Sequence, residues 1–212
     1  MNVDNEAIRK EFFSGHDPRL LSVWQTATVG IAGAGGLGSN IAVSLARAGL
    51  GTLVIADYDV ITVKNLNRQQ YFLSQVGKAK VEALKANLGQ INPFCRCEIH
   101  NLMVTPDNLK DIFGSCNILL EAFDGADQKQ MLIETWQELF PERPLIAASG
   151  LAGYGRNELI KMVRLDNIYL CGDGISELTP GISPVAPRVA IVANMQANLC
   201  LELLISIKAK TK

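Results

Sequence analysis

Residues 28–43 read TVGIAGAGGLGSNIAV, an apolar run, a cluster of glycines and a second apolar run. No other segment restricts the fold as much. Gly33, Gly35 and Gly38 satisfy G-x-G-x-x-G, with Gly36 as a fourth glycine inside the turn, between a stretch of strand character and one with helical spacing. Positions without side chains permit a tight turn and a close strand–helix approach, so the segment predicts the first turn of a parallel βαβ unit. TLVIAD at 52–57 supplies the second strand, short and branched as in a strand covered on both faces. Gly49 is placed to cap the helix between them.

The same absence of side chains lets backbone N–H groups approach a phosphate at a helix N-terminus, where the helix dipole favours negative charge. Asp57 closes the second strand about 20 residues beyond the loop, the place from which a carboxylate accepts hydrogen bonds from ribose hydroxyls. These residues predict an adenine nucleotide and leave NAD, FAD and ATP open; the glycines alone would equally serve a turn and close packing. Asn65, Arg68 and Lys80 follow, in a polar loop and the start of the next helix. Hydride transfer needs no extra cations near the phosphates, whereas attack on an α-phosphate needs positive charge for its oxygens and for the departing pyrophosphate.

Downstream, strand-like and helix-like segments alternate. Residues 6–26 read as helix, with Pro18 breaking it or starting its second turn, and 77–92 as a helix stopped by Asn92 and Pro93. CRCEIHNLMV alternates like a strand, TPDNLKDIF has a helix start, NILLEAFD is a buried strand, 126–139 a helix and PLIAASG a strand. The expected class is α/β, a Rossmann-like, mostly parallel sheet with helices on both faces. Past Gly150 the pattern loosens, which predicts a strand pair, a long loop and a last helix, so that the C-terminal part is partly antiparallel. Residues 1–212 read as one domain: a helical segment 1–26, a nucleotide-binding core 27–150 and a C-terminal segment 151–212.

Composition removes several function classes. Lys plus Arg total 20 and Asp plus Glu 21, a net charge of −1, so no basic excess points to nucleic acid or anionic lipid. Cys95, Cys97, Cys116, Cys171 and Cys200 form no C-x-x-C pair, which argues for a reducing compartment and against structural zinc. The start, MNVDNEAIRKEFF, has no apolar stretch of the secretory kind, so a cytoplasmic location is expected. APRVAIVANMQANLCLELLISI carries Arg188, Asn194, Gln196, Asn198 and Glu202 and reads as a buried or interface helix, not a membrane span. His16 and His100 stand outside any frame suited to Ser-His-Asp hydrolysis.

GAGGLGSNIA, DYDVITVKNLNRQQYF, GKAKVEAL and INP together resemble the ThiF/MoeB/HesA family, the bacterial relatives of ubiquitin-activating enzymes. The likeness runs from Arg9 to VAPRVAIVANMQANLCLELL, and N-L-x-R-Q is its most specific motif. The short chain is similar to the compact ThiF branch linked to thiamine synthesis. The resemblance implies adenylation, by Mg-ATP, of the C-terminal carboxylate of a ubiquitin-like, ThiS-like sulfur carrier, in a homodimer. It implies that Asp57 binds ribose, that Asn65, Arg68 and Lys80 contact the phosphates, that Gln69 orients the loop, and that Asp124 holds magnesium. Arg9 would reach into the partner subunit's site; a solvated helix face is the plainer role. Asp124 has a plainer alternative too, as helix N-cap before GADQKQML.

The chain departs from the family at two places. Glu121 and Asp124 keep the acid-x-x-Asp spacing, but Gly125 stands where an asparagine is usual. The C-x-x-C pairs of many relatives are missing, and Cys171 is the only cysteine near the loop where some relatives use one. A buried strand-end thiol is expected there, with sulfur transfer left to another protein. The glycine-rich SGLAGYGR at 149–156 is the expected wall of a groove for the carrier's tail, although turn glycines explain it equally. An NAD-dependent oxidoreductase and a non-catalytic nucleotide-binding scaffold are the competing readings.

Overall fold

The computed structural model describes residues 5–177 and 179–210. The first four residues of the N-terminal segment, Leu178 of the long loop and the last two residues lie outside them. The glycine turn joins strand β1 (Thr28–Ala32) to helix α3 (Gly36–Ala48), and β2 (Thr52–Ala56) pairs parallel to β1 with Gly30 opposite Val54. Ahead of them lie α1 (Asn5–Phe12) and α2 (Pro18–Thr26). The predicted helix 6–26 is thus two helices, because Pro18 takes the first turn of α2 behind Asp17, whose side chain accepts the N–H of Arg19.

Then follow α4 (Lys80–Ile91), β3 (Arg96–His100), α5 (Pro106–Phe113), β4 (Ile118–Glu121), α6 (Ala126–Leu139) and β5 (Leu145–Ala148). The hairpin β6 (Lys161–Leu165) and β7 (Ile168–Gly172) precedes α7 (Ala186–Lys210). The sheet has seven strands in the order β3-β2-β1-β4-β5-β7-β6, all parallel except the β6–β7 pair. This is the expected class, with the strand pair where the pattern loosened.

Chain direction along the sheet reverses between β1 and β4, so the loops after these two strands part and leave a crevice at the C-terminal edge. Helices cover both faces. Ile31, Ile41, Leu45, Leu84, Val192 and Cys200 belong to the core under α3, α4 and α7, while Leu109, Phe113, Leu132 and Trp136 belong to the core under α5 and α6. Helix α7 is long and apolar enough to cross a membrane by length and composition. In the fold its buried face, which includes Gln196, lies on the sheet and against α2 and α3, and Ser44 donates a hydrogen bond to Asn194 (2.6 Å).

Trp136 fills the second core: it is fully buried, its Nε1 donates to Arg143 O (3.2 Å), and its ring meets Phe140 at 4.7 Å. Trp136→Ala should cost about 3–5 kcal/mol. A lower urea midpoint with an unchanged denaturant slope is the expected observation, and a loss of unfolding free energy (midpoint shift times slope) below about 1 kcal/mol would mean the core relaxes around the cavity.

Candidate functional site

The four loop glycines divide into two roles. Gly33 has φ +104° and donates its N–H to Ala56 O (2.8 Å); a Cβ there would lie 2.7 Å from Ala122 O, the backbone just beyond β4. A Cβ on Gly38 would run into the carbonyl of Gly33. These two are demanded by packing. Above Gly35 the nearest atom is Gln69 Nε2 at 3.7 Å, and above Gly36 lie Val189 Cγ1 and the stem of Arg68. Gly35 and Gly36 therefore open onto side chains, which can yield to a ligand. Helix α3 starts at Gly36 with no side-chain cap, four residues earlier than its apolar spacing suggested, and its first N–H groups point toward the loop.

Asp57 is buried just past the end of β2. Its Oδ2 accepts the N–H of Ala34 (2.7 Å) inside the glycine turn, and its Oδ1 accepts the N–H of Asp59 (2.8 Å). Burial pushes the carboxyl above the usual range, against the lowering effect of Lys80 and of these two amides. A carboxylate has room for further donors, so ribose hydroxyls can still be received. Lys80, buried at the start of α4, lies 3.8 Å from Asp57 Oδ2 and 2.6 Å from Asp59 Oδ2. The lysine is therefore held at the rim of the turn, paired with Asp59.

The segment carrying Arg68 is fastened to the glycine turn by polar bonds. Tyr71 Oη donates to Ala34 O (2.7 Å), Asn40 Nδ2 donates to Gly36 O (2.6 Å) and Arg68 O (3.1 Å), and Ser39 Oγ accepts the N–H of Gln70 (3.1 Å). Burial and the charge of Asp57 hold the Tyr71 phenol protonated well beyond its ordinary range. Asn65 is buried and spends its Oδ1 on the N–H of Thr62 (2.9 Å), a cap on the turn Val63–Asn65. Arg68 Nη1 donates to Asn67 Oδ1 (2.9 Å) and Lys64 O (3.3 Å). Gln69 is buried with Oε1 unpartnered. A depression of about 360 Å3 runs between this segment and the start of α7, lined by Asn40, Arg68, Gln69 and Pro187 among others.

Asp124 is exposed on the loop after β4, next to Phe123, whose ring borders Gly33. The N-cap of α6 is Gly125, and no side chain caps it, so the N-cap role expected as the alternative for Asp124 falls away. The backbone turns one residue later than the cap pattern required. Glu121 is fully buried below this loop; it pairs with Lys129 and accepts the N–H of Phe123 (2.7 Å), while Lys129 also donates to Ala148 O (3.0 Å). Among the described residues no three acidic, His or Cys side chains cluster as a metal cage. One carboxylate beside a phosphate site nevertheless suits Mg2+, which takes most of its ligands from water and phosphate oxygens.

The remaining predicted residues lie elsewhere. Arg9 is exposed on α1, with its guanidinium 6.0 Å from the Phe94 ring. Phe94 precedes β3, at the edge of the sheet opposite the glycine turn, so the fold keeps Arg9 out of its own chain's crevice. Cys171 is buried in β7, and burial pushes its thiol up to about 11. Sequence reasoning missed Ser39, Asn40, Asp59 and Tyr71, all of which shape the site. Asp59 and Tyr71 sit inside DYD and RQQY, beside residues already chosen, and proximity in sequence was their only signal.

A family model described as the ThiF family matches residues 9–212. The tRNA threonylcarbamoyladenosine dehydratase of Escherichia coli is 34% identical over 137 residues, 64% of this chain and 50% of that protein. The probable adenylyltransferase/sulfurtransferase MoeZ of Mycobacterium tuberculosis is 37% identical over 101 residues, 47% of this chain and 26% of that protein. The chain thus spans half the length, or less, of these curated relatives. Among solved structures, the E. coli dehydratase TcdA in complex with ATP has a TM-score of 0.87 at 22% identity, over 99% of this chain and 100% of that one. E. coli MccB with ATP has a TM-score of 0.68 at 22% identity, over 95% of this chain and 64% of that one. These structural likenesses establish the fold, and the family match, which takes in the glycine turn, the Arg68 segment and the start of α7, shows that the chain belongs to the ThiF family.

Proposed function

We propose that the protein binds ATP along the glycine turn and transfers its AMP moiety to a carboxylate, the acceptor being the C-terminal glycine of a ubiquitin-like, ThiS-like sulfur carrier, as in thiamine biosynthesis. One observation carries the reading: Asn40, Ser39 and Tyr71 fasten the Arg68 segment directly onto the phosphate-binding turn. A cation carried on that segment has no role in the hydride-transfer step itself. It has an obvious one where negative charge builds on a triphosphate. Family membership favours the same choice over an NAD-dependent oxidoreductase.

The chemistry asks little else of the protein. A carboxylate oxygen, already ionised at neutral pH, attacks the α-phosphorus. The bond from that phosphorus to the β-bridging oxygen breaks, and pyrophosphate leaves with the electron pair. No general base is needed, in keeping with a crevice whose buried carboxylates, Asp57 and Asp173, are already engaged by backbone amides. On this reading Asp57 receives the ribose, Arg68 and Lys80 face the phosphates, and Asp124 holds Mg2+ against them. Bound Mg2+ would supply charge neutralisation and orientation of the phosphate oxygens. Lys80 exchanges Asp59 for a phosphate oxygen when nucleotide arrives.

A second acceptor is favoured by a specific observation, the likeness to the E. coli tRNA threonylcarbamoyladenosine dehydratase in sequence and fold. There the carboxylate would be carried by tRNA. The net charge of −1 argues for the protein acceptor. We also propose a homodimer in which Arg9 serves the neighbouring site. Its placement at the far edge of the sheet, together with exposed Val63, Phe72 and Leu73 beside the Arg68 segment, supports this arrangement.

ATP–pyrophosphate exchange tests the proposal. Exchange should require a purified Gly-Gly-ended carrier, and Arg68→Ala or Asp124→Ala should lower it about 100-fold or more. Exchange driven by threonylcarbamoyl-tRNA instead would transfer the reading to the second acceptor, and NADH turnover without exchange would discard both. For the dimer, mixing Arg9→Ala and Asp124→Ala subunits should recover part of the activity that each lacks alone. Recovery absent from every mixture means that Arg9 acts in its own chain or not at all.

Sulfur transfer by Cys171 is not expected, since a thiol held near pH 11 is protonated across the physiological range. Iodoacetamide at pH 8 should leave Cys171 unmodified in the folded protein, as read by peptide mass, and Cys171→Ser should retain full exchange. Rapid alkylation of Cys171 would reopen its role.

A further inference from the structure

At the acceptor side of the crevice, one buried carboxylate gathers three segments. Asp173 follows β7 directly; its Oδ1 accepts the N–H groups of Ile175 (2.9 Å) and Ser176 (2.8 Å), and its Oδ2 pairs with Arg188 in the first turn of α7. Both side chains are 3% exposed. Arg188 also donates to Gly155 O, on the glycine-rich segment 149–156. That segment meets the carboxylate a second time, since a Cβ on Gly150 would collide with Asp173 Oδ1. One residue beyond Arg188, Val189 touches the space above Gly36, so the same turn of α7 borders the phosphate-binding loop.

The arrangement is costly, which is informative. A cation in the first turn of a helix opposes the helix dipole, and burial removes its water. Among the described residues, Arg188 Nε has no hydrogen-bond acceptor. Nothing in the apolar core requires an ion pair here. What the pair does is fix the glycine-rich wall, the β7 exit and the start of α7 in one geometry, beside the place where a reacting carboxylate must lie.

We propose that Asp173 and Arg188 form a clasp that shapes the glycine-rich wall to receive the acceptor's extended tail, acting as positioning residues for the acceptor and not for the nucleotide. The inference rests on the adenylation reading. Glycines at 150, 153 and 155 alternate along the wall with Ser149, Leu151, Ala152 and the exposed Tyr154 and Arg156, so that three of its eight positions carry no side chain to obstruct an extended peptide.

Two substitutions test the clasp. Asp173→Asn keeps an acceptor for Ile175 and Ser176 but places an amide against the guanidinium, and Arg188→Lys keeps the buried charge while losing the fork that spans Asp173 and Gly155. In the full chain, both should speed amide hydrogen exchange at residues 149–156 and 173–177. Both should raise KM for a Gly-Gly-ended carrier about tenfold, with ATP affinity held within twofold and the rate at saturating carrier little changed. Unchanged hydrogen exchange, an unchanged carrier KM, or ATP affinity falling in parallel with it would each overturn the proposal. If Asp173→Asn does not fold, Arg188→Lys decides by the same readings. Wild-type protein without carrier-dependent exchange would sink the adenylation reading itself, a result distinct from any of these.

Discussion

Both polar groups of the Ala34 peptide unit are held by side chains from elsewhere: its N–H by Asp57 at 2.7 Å and its C=O by Tyr71 at 2.7 Å. Ala34 lies in the middle of the glycine turn, and the two partners come from the end of β2 and from the segment behind Arg68. Release either bond and a buried polar group loses its partner, a loss of about 1–3 kcal/mol. The larger consequence is geometric. The turn cannot move without Asp57 on one side and the arginine segment on the other, so the amides of the turn, the buried carboxylate and the segment carrying Arg68 are set in one geometry.

Charge distribution follows the same edge of the sheet. Among the described residues, four ion pairs with at least one deeply buried member sit at or just beyond strand ends: Asp57 and Asp59 with Lys80 after β2, Glu121 with Lys129 at the end of β4, Asp173 with Arg188 after β7. Buried pairs are poor sources of stability, because desolvation offsets most of the attraction. Each here bonds backbone as well: Asp57 to Ala34, Glu121 to Phe123, Asp173 to Ile175 and Ser176. The carboxylates thus act as tethers for loops that have little apolar surface of their own, and the lysines and arginine beside them pull toward the charged form against burial. Glu121 shows the tension most plainly, since burial drives its carboxyl upward while Lys129 and the Phe123 amide pull it back.

Most of the architecture was legible because parallel strands covered on both faces leave short branched runs that stand out from amphipathic helices. Helix 126–139 matched α6 to the residue, and β1 and β2 fell inside their expected segments. Ends were harder. The strand expected over CRCEIHNLMV stops at His100, because Asn101, Leu102 and Met103 are exposed and have no strand to pair with. Helix α3 begins inside the glycine cluster, where composition argues against helix and only the geometry of the turn allows it. Around the turn, Asp57, Arg68 and Lys80 were singled out through charge and spacing. Ser39, Asn40 and Tyr71 were not, since their bonds reach 28–37 residues along the chain and nothing local marks a polar residue as the partner of a distant carbonyl. The Asp173–Arg188 pair was invisible for the same reason.

On the adenylation reading the crevice has two halves, and their division has a mechanistic meaning. The nucleotide half is held through β1, β2 and Ala34, the acceptor half through β5, β7 and the Asp173–Arg188 pair, and the first turn of α7 borders both. Adenylation chemistry is the same for any ionised carboxylate, because the attacking atom needs no activation beyond its charge and its position. A scaffold that keeps the first half constant can therefore accept a different carboxylate by reshaping the second, without disturbing the phosphates. Relatives named for a tRNA modification and for sulfur transfer share sequence with this chain over the same fold. The residues that distinguish one acceptor from another should then lie in 149–156 and at the start of α7, where glycines and one buried ion pair, not the glycine turn, set the shape of the wall.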